Sequence, residues 1–270
     1  MDRIDWLIRN GFQGVSLLQS ILDIDPSERQ DVAAAIKSEQ LYVTYHGNVH
    51  HKLTDSGKLD ESFINRMLDD VIWWHENTNG VYSCCSDPIK VLQPDGTRMF
   101  DFDLNARHLH LMSDRLSKHG IRVGIENGVG GKNKFSTLND ISRLKETCSD
   151  IEIGMLLDAA HANIHVCSDG VADEDNINAY VSKLPLEIWE VHFSDNLGRR
   201  DEHKQLGYGN LNLKDLFAGL RSSGFSGKFT IEVCLDILSG KYASDINNPQ
   251  QMDALLISRD NIIAAWSAPK

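Results

Sequence analysis

Acidic and imidazole side chains recur at the ends of separate apolar segments of this chain. The set comprises His46, Glu126, Asp158, His192 and Glu232. Gathered at one place without a counter-charge, such groups would repel one another and resist desolvation. A divalent cation resolves this conflict, and mixed carboxylate and imidazole ligands suit Mn²⁺, Zn²⁺, Co²⁺ or Fe²⁺ better than Ca²⁺. The pattern therefore predicts a metal site.

Strand alternation predicts that these side chains face one interior. In "EVHFSD" the apolar residues flank His192 and point outward, so His192 points inward, and in "FTIEV" Glu232 does the same. Each residue alone has another interpretation. Glu126 could be a solvated strand end, Asp158 the N-cap of a helix, and His46 or His192 a hydrogen-bonded core histidine. The metal interpretation depends on all five being in phase.

The elements that must position these residues alternate along the chain. Helical segments separate the strand candidates, which predicts parallel strands joined by right-handed crossovers. We expect an α/β fold, a (β/α)8 TIM barrel that lacks the usual first strand because the chain opens on a helix, as one domain over residues 1–270. Seven strands are predicted, at 14–18, 41–47, 81–85, 122–127, 152–158, 188–195 and 228–233, with eight helices.

Bulk properties narrow the function. The net charge of −12 disfavours a large nucleic-acid footprint. No apolar run approaches the roughly 20 residues that a membrane span needs, and the N-terminal stretch does not read as a signal peptide. The five scattered cysteines fit a reduced interior better than a disulfide framework. We expect a cytoplasmic protein with a small-molecule substrate.

Taken together, these segments resemble the xylose isomerase-like TIM-barrel family, which holds sugar and inositol isomerases and epimerases together with endonuclease IV. "GIENGVG" is similar to its strand-five Glu-Asn element, "LLDAAHANI" to its strand-six Asp-x-x-His and "VHFSDN" to its strand-seven His-x-x-Asp. "DEHKQLGYGNLNL" and "FTIEV" resemble the two elements that follow. The set in this order is specific, whereas any one piece is weak.

The resemblance implies a ligand set. The metal shared across the family would be held by Glu126, Asp158, His192 and Glu232. Residues that match further metal ligands of the endonuclease branch are His46, His161, Asp201 and His203, which here could bind further metal or substrate. The strand-four segment "VYSCCSDP" lacks that branch's histidine, and its cysteines are either soft ligands or inert buried residues. One or two metals are expected, as Mn, Zn, Co or Mg.

The resemblance also implies a reaction. We expect isomerisation or epimerisation of a sugar, polyol or related hydroxy-carbonyl compound, in carbohydrate metabolism. Glu126 and Glu232 would remove and return a proton on carbon, and His161 would hydrogen-bond a substrate oxygen. Asn127 and Arg199 are the expected substrate-binding residues, although Arg199 could instead be a solvated loop charge.

Two other functions stay open at this stage. One is metal-dependent phosphodiester hydrolysis at abasic DNA, which the acidic charge disfavours. The other is a barrel that binds a ligand or partner without turnover. An absent first strand would leave unpaired edges, which a second copy of the chain could cover, so a homo-oligomer is an alternative.

Overall fold

A computed structural model describes residues 3–18, 25–47, 53–54, 56–130, 134–168, 174–234 and 248–268. The described strands are β1 (Gly14–Leu18), β2 (Tyr42–Gly47), β3 (Val81–Ser86), β4 (Lys90–Leu92), β5 (Arg98–Phe100), β6 (Arg122–Glu126), β7 (Gly154–Asp158), β8 (Ile188–Phe193) and β9 (Lys228–Ile231). The described helices are α1 (Arg3–Arg9), α2 (Pro26–Ser38), α3 (Glu61–Asn77), α4 (Phe102–Leu116), α5 (Leu138–Thr147), α6 (Ala159–Val166), α7 (Ile177–Ser182), α8 (Leu213–Ser222) and α9 (Pro249–Ser267).

All seven predicted strands are confirmed, with bounds that differ by up to two residues. The antiparallel hairpin of β4 and β5 was not predicted. Its strands have three residues each, too few for an alternating pattern to show. The sequence predicted eight helices, whereas the described residues form nine, because two short helices, α6 and α7, follow β7.

The chain divides into two compact units. The first comprises residues 1–126 and 146–154, and the second residues 127–145 and 155–270. In the first unit β1, β2, β3 and β6 are parallel neighbours in that order. Tyr45 on β2 shows which face of these strands meets the helices, because its hydroxyl donates to Asp70 on α3 at 2.9 Å. Its neighbour His46 therefore points to the opposite face, as predicted.

In the second unit β7, β8 and β9 are parallel neighbours. The apolar core of this unit lies between the strands and helices α6 to α8, with Val191, Phe193, Tyr180, Phe217 and Leu220 among its buried members. Helix α9 packs its Trp266 against the same cluster. None of the helices in the described ranges combines the length and apolar character that crossing a bilayer requires.

Candidate functional site

A ladder of polar side chains runs along one face of β8 and β9. Glu190 and His192 are two residues apart on β8, so they share a face. Thr230 on β9 is the register partner of His192, and Glu232 follows β9 on the same face. The His192 Nδ1 atom lies 2.8 Å from Glu232 Oε2, and its Nε2 atom lies 3.2 Å from Glu190 Oε1. The imidazole is thus held between two carboxylates.

The opposite face of the same strands is apolar and fixes their orientation. The ring centroid of Phe193 lies 5.7 Å from that of Phe217 on α8 and 5.3 Å from that of Phe229 on β9. Phe229 also meets Trp266 edge to face at 5.2 Å. The two fully buried rings, Phe193 and Phe217, each stabilise the fold by about 1.5–3 kcal/mol. Because Phe193 and Phe229 occupy the apolar face, their strand neighbours His192 and Thr230 point to the opposite face.

Electrostatics in the ladder favour a cation. Burial alone would lower the pKa of His192, but the charge of Glu232 and the hydrogen bonds with Glu190 and Glu232 raise it to about 10. The imidazole and Glu190 are almost completely buried, whereas the Glu232 side chain is 31% exposed. Without a metal, the positive charge between the carboxylates is therefore a proton on His192.

Asp158 ends β7 beside this ladder, where it is the register partner of His192. Its Oδ1 atom accepts the backbone N–H of His161 at 2.7 Å and so caps α6. This confirms the capping interpretation, but a carboxylate has enough lone pairs to cap a helix and bind a cation as well. Asn127 holds the backbone of Asp158, since its Nδ2 donates to Asp158 O and its Oδ1 accepts from Asp158 N.

A second imidazole and carboxylate cluster forms where α6 meets the loop after β8. His161 Nε2 and His203 Nε2 lie 3.2 Å and 2.9 Å from the same oxygen, Asp201 Oδ2. Burial would raise the pKa of Asp201, but the hydrogen bonds with both histidines hold it below its usual range. Burial would lower the pKa of His203, but Asp201 raises it to about 9. Among the described residues, the buried Oδ1 atom of Asp201 has no hydrogen-bond partner.

Backbone carbonyls fix the tautomers in this second cluster. His161 Nδ1 lies 2.9 Å from the carbonyl of Asn127, and His203 Nδ1 lies 3.2 Å from the carbonyl of Glu232. A carbonyl only accepts, so both Nδ1 atoms carry a proton. Each Nε2 atom is then left to face Asp201 with either a second proton or a metal ion between them.

The loop that carries Asp201 and His203 is folded around the carboxylate of Asp195. Asp195 Oδ2 accepts the N–H groups of Gly207 and Gly209 at 2.9 Å each. Its Oδ1 accepts those of Asn196 and Leu211, at 2.8 Å and 3.2 Å. A side chain on Gly209 would collide with the carbonyl of Asn196, because its Cβ would lie 1.9 Å from that oxygen.

His203 is strained within this loop. Its φ of 46° lies in the left-handed region, which costs about 1–2 kcal/mol for a residue with a Cβ. The strain is held in place by neighbouring contacts, since the Cys234 N–H donates to the carbonyl of His203 at 2.9 Å. The fold thus stabilises an unfavourable backbone conformation that aims the His203 imidazole at Asp201.

In the first unit, His46 lies between two carboxylates of its own. Its Nε2 atom is 2.8 Å from Asp87 Oδ1 and 3.2 Å from Glu126 Oε2. Burial opposes the charge on His46, but Asp87 and Glu126 raise its pKa well above the usual value. One ligand atom from each of these three residues lies within 4.8 Å of the others, so the group could hold a metal.

Three residues of these clusters escaped the sequence analysis. Glu190 could have been found by alternation, because it lies two residues before His192. Asp87, the residue after β3, supplies an acidic group in the strand-four segment that lacks the endonuclease branch's histidine. Thr230 donates its hydroxyl to Glu190 Oε1 at 2.7 Å, which only the register of β8 and β9 reveals.

The other predicted residues lie outside these imidazole and carboxylate clusters. Arg199 is exposed in the loop after β8. Cys84 and Cys85 are buried in β3, and neither forms a disulfide within the described part of the chain. The amide of Asn127, predicted to bind substrate, is occupied by the backbone of Asp158.

Comparison with known proteins identifies the family of this chain. The model of the xylose isomerase-like TIM barrel family matches residues 4–255. The chain belongs to this family. That membership confirms the resemblance read from the sequence and, with the solved structures below, the predicted fold class.

Solved structures share the fold at low sequence identity. A D-psicose 3-epimerase from Clostridium cellulolyticum H10, solved with D-tagatose, is 12% identical with a TM-score of 0.72, covering 98% of this chain and 93% of that one. The IOLI protein, solved with a bound zinc atom, is 13% identical with a TM-score of 0.69, covering 98% and 91%.

One curated relative matches part of the chain. It is the uncharacterized protein MJ1311 of Methanocaldococcus jannaschii, 32% identical over 125 residues, which is 42% of this chain. The match spans 37% of that relative's length. It adds no activity to the comparison.

Proposed function

We propose that this protein is a divalent-metal-dependent isomerase or epimerase of a small hydroxy-carbonyl compound such as a ketose. The observation that carries the proposal is the buried His192 imidazole, which is flanked by Glu232 and Glu190 and paired in register with Asp158. Carboxylates and an imidazole on parallel strand ends form the donor set that a divalent transition metal or Mg²⁺ accepts.

The proposed ligands are Glu126, Asp158, His192 and Glu232. Asp158, His192 and Glu126 are buried, so an uncompensated charge on each would be costly. The proton on His192 neutralises part of that charge without a metal, and a bound cation would take its place. Bound there, the ion would polarise the substrate carbonyl and stabilise the negative charge that develops on its oxygen.

Glu232 is our candidate for the base that takes the proton from carbon. Its side chain is 31% exposed, whereas those of Asp158 and His192 are almost completely buried, so a substrate can reach Glu232 from solvent. Glu126 would return the proton on the other face of the carbon atom. Two carboxylates acting in turn fit an inversion of configuration, because each serves one face.

Three further residues would bind the substrate. His161 would hydrogen-bond a substrate oxygen through Nε2, which would have to exchange its contact with Asp201 for the substrate, because Nδ1 is held by the carbonyl of Asn127. The exposed Arg199 would contact a substrate hydroxyl or phosphate. Asn127, the other predicted substrate-binding residue, also fixes the backbone of Asp158, and the second N–H of its amide would donate to the substrate.

The solved structures support the substrate class. One structural neighbour is a D-psicose 3-epimerase solved with D-tagatose, and another was solved with a bound zinc atom, on the same fold. Because the fold supports many reactions, this likeness suggests ketoses as the first compounds to assay and does not name the substrate.

The test is proton exchange at carbon. Purified protein would be stripped of metal, reloaded with Mn²⁺, Co²⁺, Zn²⁺ or Mg²⁺, and incubated with ketoses in D₂O. We expect one metal to support both epimer formation and deuterium incorporation at the epimerised carbon. Glu232→Gln should abolish both, and Glu152→Gln, an exposed glutamate, should change neither. Metal-independent exchange, or none with any compound of a broad ketose panel, would contradict the proposal.

The His161, Asp201 and His203 cluster favours a second candidate, metal-dependent phosphodiester hydrolysis. Two Nε2 atoms and one carboxylate oxygen converge there, as a further metal ion would require. Against it, β3 carries no histidine and the net charge is −12. Cleavage of an abasic-site duplex at catalytic protein concentration, with no activity on ketoses, would favour this candidate over the epimerase.

A further inference from the structure

Glu190 has no part in the proposed reaction, yet it is one of the most deeply buried carboxylates described. Its relative exposure is 1%, and it lies on β8 two residues before His192. Moving a carboxylate out of water costs several kcal/mol, and an apolar residue at such a position is often as stable or more so. A structural role alone therefore explains this residue poorly.

One carboxylate oxygen of Glu190 contacts both His192 and Thr230. Its Oε1 atom lies 3.2 Å from His192 Nε2 and accepts the hydroxyl of Thr230 at 2.7 Å. The Thr230 hydroxyl has a single proton, and donating it to Glu190 leaves the carboxylate oriented toward the imidazole. The other ring nitrogen, Nδ1, faces the proposed ligand Glu232 at 2.8 Å.

The different partners of Nδ1 and Nε2 suggest a different role for each nitrogen of His192. An imidazole that binds a metal through one nitrogen carries its proton on the other, and a carboxylate on that N–H fixes the ring and strengthens the donor. Nδ1 is the nitrogen beside a proposed ligand, so Nε2 is the nitrogen left to carry the proton. Glu190 is placed to accept that proton's hydrogen bond.

We propose that Glu190, oriented by Thr230, is a positioning residue that fixes His192 as an Nδ1 metal ligand protonated on Nε2. The inference rests on the proposed function, since it requires a metal at His192. It assigns Glu190 no contact with substrate. Its effect is on the strength of metal binding and on the state of one N–H group, both of which are measurable without turnover.

The experiment is a Co²⁺ titration of the metal-free protein, followed by visible absorption. Glu190→Gln should bind Co²⁺ about 10- to 100-fold more weakly than the parent, because the amide carries no charge to strengthen the donor. Thr230→Val should bind about fivefold more weakly, because Glu190 loses the hydrogen bond that orients it. The matched control is Glu187→Gln, an exposed glutamate just before β8, which should bind as the parent does.

Proton NMR of the Co²⁺ protein gives a second readout that loosened packing would not produce. The N–H proton of a Co²⁺-bound histidine is shifted far from other signals and disappears in D₂O. We expect this signal for His192 in the parent and at a different shift in Glu190→Gln, because its hydrogen-bond acceptor loses its charge. Should Glu190→Gln not fold, Thr230→Val decides the question by the same two measurements.

The outcomes separate the two proposals. If the parent binds Co²⁺ and both variants bind it equally well with an unchanged N–H signal, the role of Glu190 is wrong and the proposed function stands. If the parent binds no divalent metal at all, the proposed function fails and the role of Glu190 fails with it.

Discussion

Two imidazole clusters of the second unit differ in what holds them. His192 is mounted on a strand, and both of its ring nitrogens face carboxylates, Glu232 and Glu190. His203 is mounted on a loop, where one nitrogen faces a backbone carbonyl and the other faces Asp201. The strand cluster is ordered by aromatic packing behind it, whereas the loop cluster depends on the four hydrogen bonds that Asp195 accepts.

Whether a cluster lies on a strand or on a loop indicates which role it can have. A position on a packed strand cannot shift without disturbing the core, which suits a metal ligand whose geometry must be constant. A loop position can differ between related proteins without changing the core, which suits contact with a particular substrate. We therefore propose metal binding for the strand cluster, and substrate binding or a further metal for the loop cluster.

Removing the strand imidazole should have the largest effect. His192→Asn loses one of the four proposed ligands and leaves Glu190 and Glu232 without the cation between them. We expect kcat/KM on the ketose found by the exchange assay to fall by about 10³-fold or more, with a matching loss of bound metal. Near-parental activity and metal content in the folded variant would show that the strand cluster is not the metal site.

The next largest effect is expected on the free energy of unfolding, when the hydrogen bonds that hold the loop after β8 are weakened. Asp195→Asn replaces a carboxylate that accepts four N–H groups with an amide that presents two donors to the same loop. We expect unfolding to become easier by about 2–3 kcal/mol, because hydrogen bonds to a charged group are lost. Asp253→Asn, at an exposed position of α9, is the control and should cost about 0.5 kcal/mol or less. Equal melting temperatures of the two variants would contradict the account of the loop.

Neutralising the loop cluster should have a smaller effect on the chemistry. Asp201→Asn keeps the size of the side chain but removes the charge that His161 and His203 share. If this cluster only positions substrate, kcat/KM should fall by about tenfold, while metal bound per chain is unchanged. A loss of about half of the bound metal would instead show that the cluster holds a second ion.

The smallest predicted difference is in titration of the metal-free protein. The pKa of His203 is raised to about 9 and that of His192 to about 10, so NMR should show the loop histidine losing its proton about one pH unit earlier. Both are raised above the unfolded value near 6.5. The stabilisation from these charged histidines is therefore fully present below pH 6.5 and is lost as the pH rises through 9 to 10. Metal-free protein that gains stability over that interval would contradict these shifts.

The residues of both clusters were named from the sequence, but the direction in which the side chains point could be predicted only for the strand cluster. Alternating apolar residues around His192 and Glu232 determine their face, because the aromatic partners Phe193 and Phe229 can only pack outward. The contact between Thr230 and Glu190 could not be predicted, since it depends on the register of two strands about 40 residues apart. The neighbouring sequence also does not predict that Asp195 accepts N–H groups up to 16 residues away. Nor does it predict the left-handed backbone conformation of His203.

The most direct test of the central claim is an elemental analysis of the protein after saturation with divalent metal and removal of the excess. We predict that the parent and a double variant of exposed residues, Glu152→Gln with Glu187→Gln, retain metal, and that Glu126→Gln with Glu232→Gln retains none. Metal retained at the parental ratio by that last variant, in folded form, would contradict a site built from these carboxylates.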